Sequence, residues 1–255
     1  MLVKQTLEKL RAMKLTGLAE AFSRQSEDTQ MFSLSFEERL SMMVDHEWTA
    51  RQNRALSRRL KSARLKIQAC VEDIDYSHSR GLDKSVVRSL ATSQWVSTHH
   101  HIIIVGPCGV GKSYLACAFA QRAARDGFTA LYTRANRLFH DLAVARGDGS
   151  LDKLMSRIAR TDVLVVDDWA MSALSETERR DFLEICEDRY NSRSTILTSQ
   201  VPVAHWHERI GDPTSADSIL DRLVHNAYKI ELKGPSMRKL RPPNSTDDPD
   251  RRDQQ

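Results

Sequence analysis

The sequence predicts an α/β fold in which helices flank a parallel β-sheet, preceded by a small all-helical N-terminal domain. Three observations support this fold class. From residue 102 onward, short apolar runs alternate with stretches that suit helices. The first run, 102–105, contains only Ile and Val, as expected for a strand that is buried on both faces. Residues 1–75, by contrast, have helical periodicity and contain a single glycine, Gly17.

The N-terminal helical domain, predicted at residues 1–75, contains a clear helix start. Ser35 and Glu38 match a capping box, in which each side chain hydrogen-bonds the backbone amide of the other residue. Four large apolar residues follow at helical spacing: Phe36, Leu40, Val44 and Trp48. A helix of this domain is therefore expected to begin near residue 35.

A segment with one sign of charge, residues 51–66, lies in the same domain. Its cations, with no carboxylate between them, are Arg51, Arg54, Arg58, Arg59, Lys61, Arg64 and Lys66. On a continuous helix, an apolar stripe would run beside them through Leu56, Leu60, Ala63 and Ile67. A solvated helix usually mixes Glu with Lys, so this composition favours contact with the phosphate backbone of DNA. A solvated basic face is the alternative, and the narrow stripe without aromatic residues disfavours a membrane-surface helix.

Composition narrows the class of protein further. The 255 residues carry a net charge of +4, which suits an anionic partner. The four cysteines lack the spacing of a disulfide framework or a zinc site. The histidine run 99–101 does not indicate a metal site, because consecutive residues do not share a face. With no signal sequence and no long apolar run, we expect a soluble cytoplasmic protein without a membrane partner.

Helical periodicity, composition and the alternation of strands and helices divide the chain into four parts. The helical domain at 1–75 is followed by a connector at 76–98, which contains one short helix at 84–91. The α/β domain spans 99–241, and 242–255 is expected to be disordered because it lacks apolar residues. Strands of the α/β domain are expected at 102–105, 129–133, 163–166, 195–198 and 228–232. Helices are expected at 114–125, 136–145 (ended by Gly147), 151–159, 176–190 and 216–227.

A glycine-rich loop joins the first strand to the first helix of the α/β domain. The residues expected to bind a nucleotide there are Gly106, Pro107, Cys108, Gly109, Val110, Gly111, Lys112, Ser113 and Tyr114. The order of strand, G-x-x-x-x-G-K-S and helix predicts a phosphate-binding loop, because backbone amides and the helix N-terminus attract anions. Lys112 is expected to contact the β- and γ-phosphates of ATP, and Ser113 to bind Mg²⁺. A chance glycine-rich turn is the alternative.

Two carboxylates follow the buried strand at 163–166. Asp167 is expected to hold Mg²⁺ near the phosphates, which would compensate the repulsion between the neighbouring acids. Asp168 is then placed to orient or deprotonate an attacking water molecule. The alternative is an exposed pair of acids at a turn. A small-molecule kinase could use the same loop, but we find no lid segment with substrate-binding arginines.

Polar residues also close the next strand. Because the carboxyl ends of parallel strands line the ligand crevice, Ser199 or Gln200 could hydrogen-bond the γ-phosphate or the water. Arg222 projects from a helix whose neighbouring apolar residues pack inward, and Arg238 follows the last strand. Either arginine could stabilise charge on a transferred phosphoryl group. From the residues alone, either could equally form an ordinary surface ion pair.

The order of these motifs resembles one family along nearly the whole chain. The motifs are the phosphate-binding loop, Asp-Asp-Trp at 167–169, Thr-Ser-Gln at 198–200 before Trp206-His207, Asp-Arg-Leu-Val-His-Asn at 221–226, and Ser-Met-Arg-Lys at 236–239. Leu-Ser-Phe-Glu-Glu-Arg-Leu at 34–40 and the basic segment add to the match. Together they resemble the IstB-like family of AAA+ ATPases, which are encoded beside the transposase of bacterial insertion sequences and are similar to DnaC and DnaA.

The resemblance implies an ATPase that binds duplex DNA without strong sequence preference in the bacterial nucleoid. Members form homo-oligomers with ATP at the subunit interfaces and stimulate an IstA-like transposase, and hydrolysis is expected to act as the release switch. It also implies that Arg222 is an arginine finger acting in trans, that Ser199 and Gln200 form the first sensor, and that Arg238 belongs to a Ser-x-Arg element. Asp168 stands where many AAA+ proteins have Glu, and Ala170 where Gly is frequent. A DnaC-like helicase loader is the alternative function.

Overall fold

The computed structural model describes residues 2–237. Their contacts divide the chain into two compact units, Met1–Arg58 and Arg59–Gln255. The division comes earlier than the expected boundary after residue 75, because Ala63, Ala69 and Ile74 are buried in the core of the second unit. Arg238 and the tail at 242–255 lie outside the described residues.

The first unit is helical, as predicted. Its helices are α1 (Leu2–Ala12), α2 (Thr16–Glu27), a 3₁₀ turn (Thr29–Ser33) and the start of α3 (Phe36–Ala63). The predicted capping box is confirmed: the Glu38 amide donates to Ser35 Oγ over 3.2 Å, and the Ser35 amide donates to Glu38 Oε2 over 2.8 Å. On α3, Met43 and Glu47 are buried, and Glu47 accepts the Leu18 amide over 3.0 Å. This bond holds α2 against α3.

The basic segment is helical only in part. We predicted a continuous helix through Lys66, but α3 ends at Ala63. Arg64 has a φ of 51°, a left-handed conformation that stops the helix. Lys66 and Ile67 therefore lie after the helix, and the predicted apolar stripe ends at Ala63.

The second unit contains the predicted parallel sheet. Its strands are β1 (His101–Val105), β2 (Ala130–Arg134), β3 (Val163–Asp167), β4 (Ser194–Ser199) and β5 (Ala227–Glu231). They pair in parallel in the order β2-β3-β4-β1-β5. The register aligns Val105 with Ser199 and Arg134 with Asp167, so the carboxyl ends of the strands meet at one edge. Strand β4 lies between the strand that enters the glycine-rich loop and the strand that ends in Asp167.

Helices cover both faces of this sheet. They are α4 (Lys84–Leu90), α5 (Gln94–Ser97), α6 (Lys112–Arg125), α7 (Ala135–Asp148), α8 (Leu151–Arg160), α9 (Glu176–Arg189), α10 (Trp206–Ile210) and α11 (Pro213–Val224). The predicted ends of two of these helices were wrong, and α11 was placed about three residues too late at both ends, because it ends at Val224 and residue 227 already belongs to β5. Helix α7 runs through Gly147 and ends before Gly149, which has a φ of 78°. Helix α11 begins at Pro213 because Asp212 caps it by accepting the Ser215 amide over 2.7 Å.

The core lies on both sides of the sheet. Ile102 and Ile104 of β1 pack with Leu115 and Phe119 of α6, and Ile103 packs on the other face with a second buried cluster. This two-sided burial confirms the interpretation of the β-branched run at 102–105. No helix in the described part of the chain is long and apolar enough to cross a membrane.

Candidate nucleotide-binding site

The glycine-rich loop has the predicted position between β1 and α6. The Gly106 amide donates to the Ser199 carbonyl over 3.1 Å, which ties the start of the loop to β4. A Cβ atom on Gly106 would lie 2.4 Å from the Leu232 carbonyl oxygen, so only glycine allows this close approach. Gly111 has a φ of 103° directly before α6 begins at Lys112. The loop therefore presents its backbone at a helix N-terminus, as an anion site requires.

Two segments that we did not predict brace this loop. The buried Arg80 donates from Nη1 to the Val110 carbonyl over 3.0 Å and from Nη2 to the Asp75 carbonyl over 2.8 Å. From the other end of the chain, the Met237 amide donates to the Gly109 carbonyl over 2.9 Å. The Lys112 ammonium donates to the Pro107 carbonyl over 2.8 Å. The loop is thus held in shape by residues that lie 30 residues before it and after the last strand.

Asp167 is the centre of a hydrogen-bond network at the end of β3. Its carboxylate is fully buried and accepts hydrogen bonds from Ser113 Oγ over 2.8 Å and from the Tyr132 hydroxyl over 2.6 Å. A third hydrogen bond comes from Thr198 Oγ1. Burial and the nearby carboxylate raise the pKa of Tyr132, so its hydroxyl stays protonated and donates. The network joins the glycine-rich loop to β2, β3 and β4.

Asp168 differs from its neighbour in backbone and exposure. It has a φ of 58°, a left-handed conformation that Asp tolerates better than most residues, and its side chain is partly exposed. Its amide donates to Thr198 Oγ1 over 3.1 Å. Within residues 2–237, no hydrogen-bond partner is assigned to its carboxylate. The two acids thus have distinct environments: Asp167 is fully buried and Asp168 is partly exposed.

The polar residues at the end of β4 make contacts in two different places. The fully buried Ser199 hydroxyl donates to the Trp169 carbonyl over 2.7 Å and accepts the Val201 amide over 3.0 Å. Its hydrogen-bonding capacity is therefore largely used by the turns after β3 and β4. Gln200 is partly exposed, and Thr198 instead faces Asp167. Tyr132 and Thr198 were not predicted as site residues. Side chains alternate between the two faces of a strand, so Thr198 and Ser199 lie on different faces, and this alternation could have identified Thr198.

Two tryptophans fix the turns beside the site. Trp169 is fully buried and stacks on Phe182 with ring centroids 4.0 Å apart. Trp206 meets the Trp169 ring edge-on, with centroids 6.2 Å apart, and donates from Nε1 to the Val201 carbonyl over 2.9 Å. These aromatic contacts anchor the turns that carry Asp168 and Gln200 to the hydrophobic core.

Arg222 lies away from the glycine-rich loop of its own chain. The chain just after its helix meets the start of β1, where the His101 amide donates to the Asn226 carbonyl over 2.8 Å, whereas the loop follows the other end of that strand, about 13 Å away at 3.3 Å per residue. The guanidinium donates to the Ser218 carbonyl over 2.8 Å and to Glu187 Oε1 over 3.1 Å. It also lies against the Tyr190 ring, 5.9 Å from its centroid. Within one chain, Arg222 is thus separate from Lys112 and Asp167.

The seven predicted DNA-binding cations differ in their contacts. In the first unit, Arg51 pairs with Glu47 over 2.6 Å, and Arg54 also reaches Glu47 over 3.3 Å. In the second unit, Arg59 donates to the Ala124 carbonyl over 2.8 Å. The side chains for which residues 2–237 provide no hydrogen bond or ion pair, and which are exposed, are Arg58, Lys61 and Arg64. Lys66 is only partly exposed.

The sheet order and the site define a class of protein. A glycine-rich loop after β1, a buried acid at the end of β3 and a polar strand β4 between them are the features of a P-loop protein with the AAA+ fold. Solved structures agree on the fold: DnaI matches with a TM-score of 0.58 at 23% identity, covering 66% of this chain and 92% of that chain. The DnaC helicase loader matches with a TM-score of 0.55 at 20% identity, covering 67% of this chain and 100% of that chain.

Sequence comparison identifies the family. The model of the IstB-like ATP binding protein family matches residues 8–244, and the chain belongs to this family. The insertion sequence ATP-binding protein y4pL of Sinorhizobium fredii is 48% identical over 94% of this chain and 98% of its own length. An ATP-binding protein of insertion sequence IS21 from Pseudomonas aeruginosa is 32% identical over 90% of this chain and 86% of its own length. The chain is therefore an ATP-binding protein of the insertion-sequence type.

Proposed function

We propose that this protein is an ATP-dependent, DNA-binding regulator of transposition. It multimerises on duplex DNA, recruits and stimulates the IstA-like transposase of its insertion sequence, and releases them when ATP is hydrolysed to ADP and phosphate. The observation that carries the proposal is the contact of buried Asp167 with Ser113 in the glycine-rich loop. It occurs in a chain whose relatives are ATP-binding proteins of insertion sequences.

The proposed ATP site is formed by the loop from Gly106 to Ser113 and by Tyr114. Lys112 exchanges its hydrogen bond to the Pro107 carbonyl for the β- and γ-phosphates. Ser113 and Asp167 fit Mg²⁺, because both offer oxygen ligands and because the hydrogen bonds to the buried Asp167 come from neutral hydroxyls. When bound, Mg²⁺ supplies positive charge that neutralises the phosphates. Arg238 lies outside the described residues, but its neighbour Met237 bonds the loop at Gly109, which supports the proposed phosphate contact.

Hydrolysis in this proposal depends on the two outward-facing polar residues at the strand ends. Asp168 orients the attacking water and accepts its proton, because its side chain is partly exposed at the edge of the sheet beside Asp167. Gln200 senses the γ-phosphate. Ser199 supports it indirectly, since the Ser199 hydroxyl holds the turn that carries Gln200.

Arg222 completes the ATP site of a neighbouring copy. The Arg222 guanidinium lies against Glu187 and Tyr190 at the end of α9, away from the loop of its own chain, so we propose that it acts in trans. Its exposed partner Glu187 and the Ser218 carbonyl are contacts that a γ-phosphate can replace. ATP bound between Lys112 of one copy and Arg222 of the next then links subunits into a homo-oligomer.

Duplex DNA is held mainly by the exposed cations Arg58, Lys61 and Arg64, with the remaining four in supporting positions. Charge without a carboxylate partner attracts backbone phosphates irrespective of sequence.

A helicase loader is the second candidate, and the fold of the DnaC helicase loader supports it. That match has 20% identity, whereas the insertion-sequence relatives reach 48%. The two functions differ in their partner: a transposase encoded in the same element in one case, and a replicative helicase in the other.

Sedimentation on a short DNA duplex tests the proposal. Wild type, Lys112→Ala, Arg222→Ala and the surface control Lys153→Ala are compared with MgATP and with MgADP. We expect large complexes only with MgATP, lost in Lys112→Ala with loss of ATP binding. In Arg222→Ala they should be lost although ATP still binds, and Lys153→Ala should behave as wild type. Equal assemblies with ATP and ADP would contradict the switch. When the transposase or a replicative helicase is added separately to the MgATP complex, the transposase should co-sediment, and co-sedimentation of the helicase alone would favour the loader.

A further inference from the structure

Arg80 is a buried cation without a carboxylate partner. The residue is 6% exposed, and among residues 2–237 no acidic side chain forms an ion pair with it. Its Nε atom is buried and has no hydrogen-bond partner in the same part of the chain. A buried charge is costly unless an anion lies beside it. The described part of the chain therefore leaves the charge of Arg80 unbalanced.

The guanidinium of Arg80 lies beside the end of the glycine-rich loop. A Cβ atom on Gly111, the last residue before α6, would be 2.7 Å from Arg80 Nη1. The N-terminus of a helix carries a positive partial charge, so two positive groups are close together here. An anion is the ligand that both of them favour. The phosphates of the ATP proposed to bind at this loop would supply that anion.

Arg80 also fixes the direction of one amide of the loop. Its Nη1 donates to the Val110 carbonyl over 3.0 Å. The peptide bond between Val110 and Gly111 is trans, so its N–H points in the direction opposite to its carbonyl. The Gly111 amide therefore points away from the guanidinium, and no acceptor for it occurs within residues 2–237. Amides that are unpaired in such loops are the donors that bind phosphate oxygens.

Arg80 is itself held in place at both its backbone and its side chain. The Arg80 carbonyl accepts a hydrogen bond over 2.8 Å from the amide of Lys233, which follows β5. Its Nη2 donates to the Asp75 carbonyl over 2.8 Å. The guanidinium is thus ordered before a nucleotide arrives, so binding does not have to order it.

We propose that Arg80 is a positioning residue of the ATP site. It holds the peptide between Val110 and Gly111 in the orientation that binds phosphate, and the bound nucleotide balances its buried charge. The inference rests on the proposed ATP site and adds to it a residue that lies 30 positions before Val110. The connector is therefore a part of the nucleotide site as well as a link between helices.

Titration of the full chain with a fluorescent ATP analogue and Mg²⁺ tests this inference. Arg80→Met should lower the affinity by roughly tenfold or more, because it removes both the donor to Val110 and the charge. Arg179→Met is the matched control: Arg179 also donates to two backbone carbonyls, those of Leu174 and Ile210, over 3.0 and 3.2 Å. It should bind the analogue as wild type does, although both variants should melt at a lower temperature than wild type. Equal affinities of the two variants, at a temperature where circular dichroism shows both folded, would overturn the inference.

Two milder variants separate the charge of Arg80 from its effect on folding. Arg80→Lys keeps the charge and one donor group, whereas Arg80→Gln keeps a donor group without the charge. They also keep the inference testable if Arg80→Met does not fold. Arg80→Lys should bind the analogue several-fold more tightly than Arg80→Gln, because only a charge attracts the phosphates over this distance. Equal affinities of these two variants would overturn the role of the charge, whereas a wild type that binds no ATP would overturn the proposed ATP site itself.

Discussion

Replacing Tyr132 by Phe tests the network around Asp167 most directly. The change removes one hydroxyl and leaves the ring, which packs in the core. It takes away the 2.6 Å hydrogen bond to a fully buried carboxylate. Hydrogen bonds to charged groups contribute about 1.5–3 kcal/mol, because the buried charge cannot regain water when its donor is lost. For a unit of this size, a loss of about 2 kcal/mol lowers the melting temperature by roughly 4–8 °C.

The assay is thermal unfolding without nucleotide and without divalent cations, followed by circular dichroism. Tyr228→Phe is the matched control: Tyr228 is 40% exposed on β5, and its hydroxyl has no hydrogen-bond partner within residues 2–237. We expect the control to melt within about 2 °C of wild type, since exposed substitutions of this kind cost less than about 0.5 kcal/mol. If Tyr132→Phe melts at the same temperature as the control, the hydrogen bond from Tyr132 to Asp167 does not stabilise the fold, and the reasoning is refuted.

Two further predictions concern charge. Burial lowers the pKa of His101 from 6.5 to about 4, while its Nδ1 accepts the Thr195 amide over 3.0 Å. Because the unfolded chain binds the proton more readily, stability should fall by about 2 kcal/mol between pH 7 and pH 5. His101→Asn, which keeps an acceptor, should remove most of that loss in urea denaturation at the two pH values. A second prediction concerns DNA binding by a triple variant, Arg58→Gln with Lys61→Gln and Arg64→Gln. Log affinity should fall less steeply with log salt concentration, the slope being smaller in magnitude by roughly 2–3, since each phosphate contact contributes about 0.9. Arg180→Gln, which removes an exposed cation paired with Glu176 on α9, should leave that slope unchanged.

The parts of the site that local patterns encode could be predicted from the sequence. The glycine-rich loop is contiguous, and an acid directly after an apolar run identifies the end of β3. Arg80, Tyr132 and Thr198 could not be predicted in the same way. Their contacts with Val110 and Asp167 depend on which strands are neighbours and on where the connector folds back, and neither is encoded by spacing along the chain.

The incorrect helix ends have a related cause. Sequence patterns mark a helix end by glycine, yet α3 stops at Arg64, which adopts a left-handed backbone, and α7 continues through Gly147. A glycine inside a helix costs about 1 kcal/mol, which packing of Leu142 and Ala145 in the core can offset. Ala63 is fully buried where α3 ends, and the chain then turns to bury Ala69 in the same core. Tertiary packing thus decided both ends against the local preference.

The position of Arg222 bears on how the proposed ATP site is completed. The family resemblance implies that Arg222 acts in trans on the site of Lys112 and Asp167. In this chain α11 leads into the start of a strand, whereas the glycine-rich loop follows the end of one. A group beside the start of β1 cannot stabilise charge at the end of the same strand. If Arg222 contributes to hydrolysis, the catalytic unit is therefore two chains, and the ATPase rate per chain should rise with protein concentration until the copies are associated. A rate per chain that is constant under dilution, in conditions where sedimentation shows monomers, would remove Arg222 from the mechanism.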